Sequence, residues 1–473
     1  MKKKSREKRR KKLVALLVID IIFSGLLIFA ISYILNKNNG LPIQGLIRAE
    51  TFYLIAICLV MLPIIMTLMV IVFWFNYFRT PKETKEQEEN AETSTLFGND
   101  SSKESVEDEF EEAPQERFCM LSAIDARQNE IERRAYEKGI TLESFCEDFR
   151  NYAASRLKLY YTIDDIRRFV AGLAVSKLVI LQGISGTGKT SLAHAFGSFV
   201  DNSATVIPVQ PMWKERIDLV GYYNEFTKRF NETLLLEKMY EANYSRDMYI
   251  TVLDEMNIAR VEYYFAEFLS LLELPNADER YLDVVSDVWE NDPRQLRNGR
   301  IKLPENMWFI GTANNDDSTF AISDKVYDRA MILNLDTKCE RFAAPMTSKR
   351  HISAETFDRL VDEAMKKYAL SQRNRKRLEA LDNYLISNFH ITFGNRIMKQ
   401  IRNYIPVYVS CGGEELKALD DILSKKIIRK LETQNPIYLR NSAEGLIAYL
   451  NELFGDNKMP LCSEYIRRLE RNA

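Results

Sequence analysis

The sequence predicts an α/β fold: a five-stranded parallel sheet with flanking helices, continued by an all-α domain and preceded by two transmembrane helices. Three observations carry this expectation. Strand-like runs at 177–182, 204–209, 248–253, 307–312 and 331–335 alternate with helical stretches, the pattern of a parallel sheet covered on both faces. Residues 337–473 hold helical stretches instead, at 354–368, 374–388, 395–409 and 415–431. Two long apolar runs, 13–35 and 52–78, come before everything else. Each would span about 35 Å or more as a helix, enough for a hydrocarbon core of roughly 30 Å.

Composition narrows the function classes. In 473 residues, 65 Lys and Arg stand against 67 Asp and Glu, a formal net charge of −2. Nucleic-acid-binding domains usually carry a basic surplus, so a nucleic-acid partner is not favoured. Six scattered cysteines with no C-x-x-C spacing fit a reducing compartment and give no zinc site. Only three histidines are present, His194, His351 and His390, so histidine-centred metal or triad chemistry is not expected.

The elements follow in order. Residues 1–12 are densely basic, which keeps the N-terminus cytoplasmic by the positive-inside rule. The spans 13–35 and 52–78 then return the chain to the cytoplasm, with 36–51 outside. A cleaved signal peptide fits less well, because the first run is long, no A-x-A site follows, and a second span comes soon after. Asp20 in the first span reads either as an ion-path or interhelical partner or as a group reaching back to the basic end; the second reading is favoured. Residues 79–114 are acidic, polar and poor in aliphatics, as in a disordered tether. Residues 115–159 read as two short charged helices. Thr162-Ile-Asp-Asp165 starts a helix to about Ala174 by a capping-box-like pattern. Pro208 places the second strand at a sheet edge, since proline cannot donate to a central ladder.

Four segments carry the chemistry. Gly183-Ile-Ser-Gly-Thr-Gly-Lys189-Thr190 follows an apolar strand and opens a helix. This is the phosphate-binding pattern G-x-x-x-x-G-K-[ST], whose backbone N–H groups turn inward around a polyphosphate. Gly183, Ser185, Gly186, Thr187, Gly188 and Ser191 would line the phosphates, Lys189 would reach the β- and γ-phosphates, and Thr190 would bind Mg²⁺. In the second segment, the strand 248–253 runs into Asp254-Glu255. Asp254 would hold the Mg²⁺ shell and Glu255 would polarise the attacking water. The third strand runs into Asn314-Asn315-Asp316-Asp317. There Asn314, with Asn315 next, would orient that water or sense the γ-phosphate; a plain Asn/Asp turn is the alternative. In the fourth, Arg329 closes a helix just before a strand, where it could reach the nucleotide of a neighbouring subunit or simply cap the helix.

Together these segments resemble the AAA+ family of ring-forming nucleotidases, over 160–336 as core and 337–473 as lid. Gln210-Pro-Met-Trp-Lys-Glu-Arg-Ile-Asp218-Leu-Val-Gly221 and Asp254-Glu-Met-Asn-Ile-Ala-Arg-Val-Glu262 are similar to the dynein-related and MoxR/McrB-like branch. The resemblance implies Walker A roles for Lys189 and Thr190, and Walker B roles for Asp254 and Glu255. It implies the sensor-1 role for Asn314, the finger role for Arg329, and a lid arginine touching the γ-phosphate in Arg396. It also implies self-association into a ring, with a hexamer expected. The third motif, Thr312-Ala-Asn-Asn-Asp-Asp-Ser, departs from the M-N-T-A-D-R-S of McrB-like GTPases, so ATP is the expected nucleotide and GTP the alternative. Asp328 stands where a second arginine is common. Residues 275–304 read either as the hairpin insertion of related rings or as a surface excursion. The leading function is a membrane-anchored nucleotidase that remodels an unidentified partner protein. The alternatives are the motor of a restriction or defence system working with a nuclease, and a nucleotide-switched membrane scaffold.

Overall fold

A computed structural model describes residues 116–131, 135–314, 319–336 and 338–472. The basic N-terminus, both apolar runs, the acidic tether and Asn315 to Asp317 lie outside the described residues. Among the described residues, no helix is long and apolar enough to cross a membrane.

Five strands form one parallel sheet: β1 (Leu178–Gly183), β2 (Thr205–Pro208), β3 (Tyr249–Asp254), β4 (Met307–Asn314) and β5 (Met331–Asn334). Their order is β5-β1-β4-β3-β2. The short β2, with its exposed Pro208, is an edge strand, as its missing N–H demands. Side chains alternate between the two faces. Val179, Leu181, Val252 and Ile310 point into one apolar cluster, and Leu178, Ile180, Leu253 and Phe309 into the other. Both faces are therefore dry, as a parallel sheet requires.

Helices α1 (Leu142–Leu157), α2 (Ile163–Val175) and α3 (Lys189–Phe199) contribute to the first cluster. Thr162 caps α2, its hydroxyl accepting from the Asp165 N–H at 3.1 Å. Helix α4 (Leu234–Ala242) covers the second face. Residues 115–159 depart from two short charged helices. Short helices at Met120–Ala126 and Gln128–Ile131 are followed by the 16-residue α1. Leu142, Phe145, Phe149 and Tyr152 recur at helical spacing, and Phe145 and Phe149 pack on Phe196 and Phe199 of α3. The many charges on its outer face masked a core helix.

The C-terminal region is helical: α5 (Ala354–Lys367), α6 (Gln372–Phe389), α7 (Gly394–Ser410), α8 (Glu415–Lys426), α9 (Pro436–Phe454) and α10 (Pro460–Asn472). The expected helix to residue 431 ends at Lys426 and tightens into a 3₁₀ stretch, Ile428–Thr433. Residues of α5 to α10 extend the same apolar cluster as α1 to α3.

Residues 281–302 form a three-stranded antiparallel sheet, Tyr281–Asp283, Arg300–Lys302 and Leu296–Arg297 in that order. The segment is thus regular antiparallel structure. Arg117 is buried against it. Its guanidinium donates to Asp292 at 2.6 and 2.7 Å and to the Asp287 carbonyl at 2.7 Å, with the Trp289 ring 4.5 Å away.

Candidate nucleotide site

Register brings the chemistry to one end of the sheet. Gly183 pairs with Asn314, and Leu181 with Thr312. Leu253 pairs with Gly311, so β1, β3 and β4 end side by side. The loop after β1 can be built only by glycine at its entrance. A Cβ on Gly183 would sit 2.4 Å from the Leu335 carbonyl oxygen, at a φ of +147°. Gly188, at φ +91°, precedes the first turn of α3. The Tyr161 hydroxyl donates to its carbonyl at 3.0 Å, and burial holds that phenol neutral, well above its ordinary pKa.

Lys189 is buried, and its ammonium donates to the carbonyls of Gly183 and Ile184, each at 2.9 Å. It therefore sits inside the loop's own curve, where a polyphosphate would be held. The Thr187 hydroxyl closes the turn on the Ile184 carbonyl at 3.0 Å. Ser185 and Gly186 form the exposed tip, and Ser191 lies in the first turn of α3.

Asp254 and Thr190 meet directly. The Thr190 hydroxyl donates to Asp254 Oδ1 at 2.7 Å, and Thr312 donates to the same oxygen at 2.8 Å. A hydroxyl and a carboxylate in contact are hard oxygen donors suited to Mg²⁺, which keeps several waters and binds through one or two protein oxygens plus phosphate. Among the described residues no cluster of three acidic, Cys or His side chains exists, so phosphate and water would complete the shell.

Glu255 is exposed beyond the strand in the left-handed region, at φ +53°. A non-glycine residue there is uncommon. Its N–H donates to the Thr312 hydroxyl at 2.8 Å. Thr312 thus aligns both acidic residues, a role that sequence reasoning missed. The available signal was a hydroxyl on an otherwise apolar strand, two residues before Asn314. Asn257 was missed as well. Its amide donates to the Asn314 carbonyl and the Thr319 hydroxyl, each at 2.9 Å, and accepts from the Asn314 N–H at 3.3 Å.

Two expected residues lie elsewhere. Arg329 follows the helix Asp324–Tyr327 and precedes β5. Asn334, at the other end of β5, pairs with Gln182 beside the loop. At ~3.3 Å per residue, the four-residue strand sets its Arg329 end roughly 10 Å from the loop end. Arg329 pairs with Glu273 at 2.7 Å and donates to the Lys325 carbonyl at 2.7 Å. Arg396, in the first turn of α7, pairs with the other oxygen of Glu273 at 2.5 Å. One carboxylate therefore holds both arginines, and Arg396 stands beside Arg329 rather than beside Lys189.

A strand–loop–helix with a buried lysine, and a second strand whose terminal carboxylate meets the Thr190 hydroxyl, have the form of a P-loop nucleotide-binding domain. The sequence profile of the AAA domain, dynein-related subfamily, matches residues 178–330. A profile described as a domain of unknown function matches residues 349–473. Comparison with curated proteins gives no match. Among solved structures, a full-length MCM homolog from Methanopyrus kandleri aligns at 11% identity with a TM-score of 0.35. That alignment covers 61% of this chain and 61% of that one. Residues 178–330 thus carry the similarity to the AAA domain family, in the part of the chain that holds the strand–loop–helix.

Proposed function

We propose that this chain is a membrane-anchored AAA+ nucleotidase that assembles as a ring and hydrolyses ATP, with Mg²⁺, to remodel a partner protein. The observation that carries this reading is the division of the site's parts between two ends of one sheet. Lys189, Thr190, Asp254, Glu255 and Asn314 gather at the loop end. Arg329 and Arg396 stand together at the far end. A subunit's own arginines are therefore badly placed for its own phosphates and suitably placed for a neighbour's. A head-to-tail contact that closes into a ring would supply them in trans.

In this reading, backbone N–H groups from Gly183 to Ser191 and the Lys189 ammonium bind the phosphates. Thr190 and Asp254 would hold Mg²⁺, which would supply positive charge against the phosphates. Glu255, raised above the strand end by its left-handed backbone, accepts a proton from the attacking water. Asn314, held by Asn257, orients that water. Arg329 of the adjacent subunit stabilises charge developing on the transferred phosphoryl group. The C-terminal helices serve as the lid, and the apolar runs 13–35 and 52–78 as the membrane anchor.

The test is steady-state turnover of ATP and GTP by the full chain in mild detergent, beside Glu255→Gln. The proposal expects ATP turnover by the wild type, and nucleotide binding without turnover in the variant. Turnover that survives in Glu255→Gln, or none in the wild type under any assembly condition, overturns it.

A further inference from the structure

The segment that carries Arg329 is gripped by the C-terminal helices. Helix Asp324–Tyr327 is a single turn, so its terminal carbonyls have few partners of their own. Lys426, the last residue of α8, is buried, and its ammonium donates to the carbonyls of Tyr327 and Ala330. These two carbonyls bracket Arg329. The Gln400 amide of α7 donates to the Asp328 carbonyl between them, at 3.0 Å. Arg429 lies 3.8 Å over the Tyr327 ring and pairs with Asp324. Every backbone carbonyl from 327 to 330 except that of Arg329 itself thus accepts from a C-terminal side chain. The Arg329 carbonyl is taken by the Ser176 hydroxyl at 2.9 Å.

A buried ammonium is costly unless its donors are satisfied. An exposed lysine could cap this turn at far less cost. Placing the charge under the turn trades stability for a fixed position of the backbone at 327–330. A displacement of about 1 Å in a catalytic group can cost on the order of 10²-fold in rate, so such fixation matters for an arginine that must meet another subunit's phosphate.

We propose that Lys426, assisted by Gln400, is a positioning residue for Arg329. It joins the C-terminal helices to the arginine that completes the neighbouring site. The proposal rests on the reading of Arg329 as acting in trans. A subunit lacking Lys426 then keeps a competent loop end but offers its neighbour a misplaced arginine.

The experiment is subunit mixing with the full chain in mild detergent. Lys426→Met alone should lose about 10²-fold in kcat, with KM for ATP unchanged. Glu255→Gln alone should be inactive while its Arg329 remains well placed. Mixed in equal amounts, the two should recover about a quarter of wild-type turnover, the share of intact loops served by an intact arginine in a closed head-to-tail ring. A merely structural defect would not be rescued by a dead partner. Arg329→Ala mixed with Glu255→Gln is the control for the underlying reading and should recover to the same extent. Rescue of both overturns a purely structural role. Rescue of Arg329→Ala without rescue of Lys426→Met overturns the Lys426 proposal alone. Failure of both overturns the trans reading and the proposal with it. Full activity of Lys426→Met alone also overturns the proposal. If Lys426→Met no longer binds nucleotide, Gln400→Leu goes through the same mixing with the same outcomes.

Discussion

The two ends of the central sheet are built by different means. At the loop end, the functional groups come from short stretches of sequence that each follow a strand. They meet because parallel strands in register finish together. Backbone geometry does most of the positioning: Gly183 lies against the Leu335 carbonyl, and Glu255 sits at a left-handed φ. At the arginine end, local contacts do less: the bond from Arg329 to the Lys325 carbonyl is joined by contacts from far along the chain. Arg329, the α7 pair Arg396 and Gln400, and Lys426 of α8 come from three separate parts of the chain and are held by Glu273 and by three backbone carbonyls. In the proposed reading the loop end binds nucleotide within one copy, and the arginine end acts on the loop that another copy presents.

The sharpest way to break this contrast is Arg329→Ala. If Arg329 acts on another subunit's nucleotide as proposed, its loss should lower kcat about 10³-fold or more and leave ATP affinity nearly unchanged. An equally large loss of affinity would mean that the arginine serves its own loop. Thr312→Val follows. It removes the hydroxyl that aligns Asp254 and the Glu255 backbone, so kcat should fall about 10²-fold, while circular dichroism stays native. Gly183→Ala forces a Cβ into the Leu335 carbonyl. It should weaken ATP binding by about tenfold and lower stability by about 1–3 kcal/mol, measured by nucleotide titration and urea unfolding.

The smallest effect is a pH dependence from the arginine end. Burial pushes the Lys426 ammonium down to about 7, and Lys177 down to about 8. The charged form is therefore disfavoured in the folded protein. Between those values and the ordinary lysine pKa of about 10.5, the unfolded chain binds more protons, so stability rises with pH. Urea midpoints should climb from pH 7 to pH 9, and Lys426→Met should flatten part of the slope. Asp328, Arg429, Lys430 and Arg396 also face Lys426, and ionic strength should be held constant. A midpoint that falls over this range would contradict the assignment.

How much of this was legible in the sequence follows the same division. The strands were legible because each is a short apolar run, three of them running into candidate site residues, and Pro208 marked the edge. The placement of the loop, Asp254 and Glu255 at one sheet end was legible because each follows a strand-like run in the sequence. Thr312 and Asn257 were present in the motifs, but their roles arise across strands and could not be read from one segment. Helix α1 was underestimated because its charged face hid the spacing of Leu142, Phe145, Phe149 and Tyr152. Arg396 was associated with the phosphates because a motif does not say where a helix docks. Its pairing with Glu273 is a contact between α7 and a residue far away in sequence. Lys426 gave no sequence signal, since a lysine ending a helix looks like ordinary dipole compensation.

The most direct test of the central claim is the specific ATPase activity of the full chain as a function of its own concentration. If the loop end of one copy needs the arginine end of another, activity per subunit rises cooperatively with concentration and reaches a plateau once the assembly is full. Activity per subunit that is constant down to concentrations where the protein is monomeric would contradict the account, because a single chain would then hold a complete site.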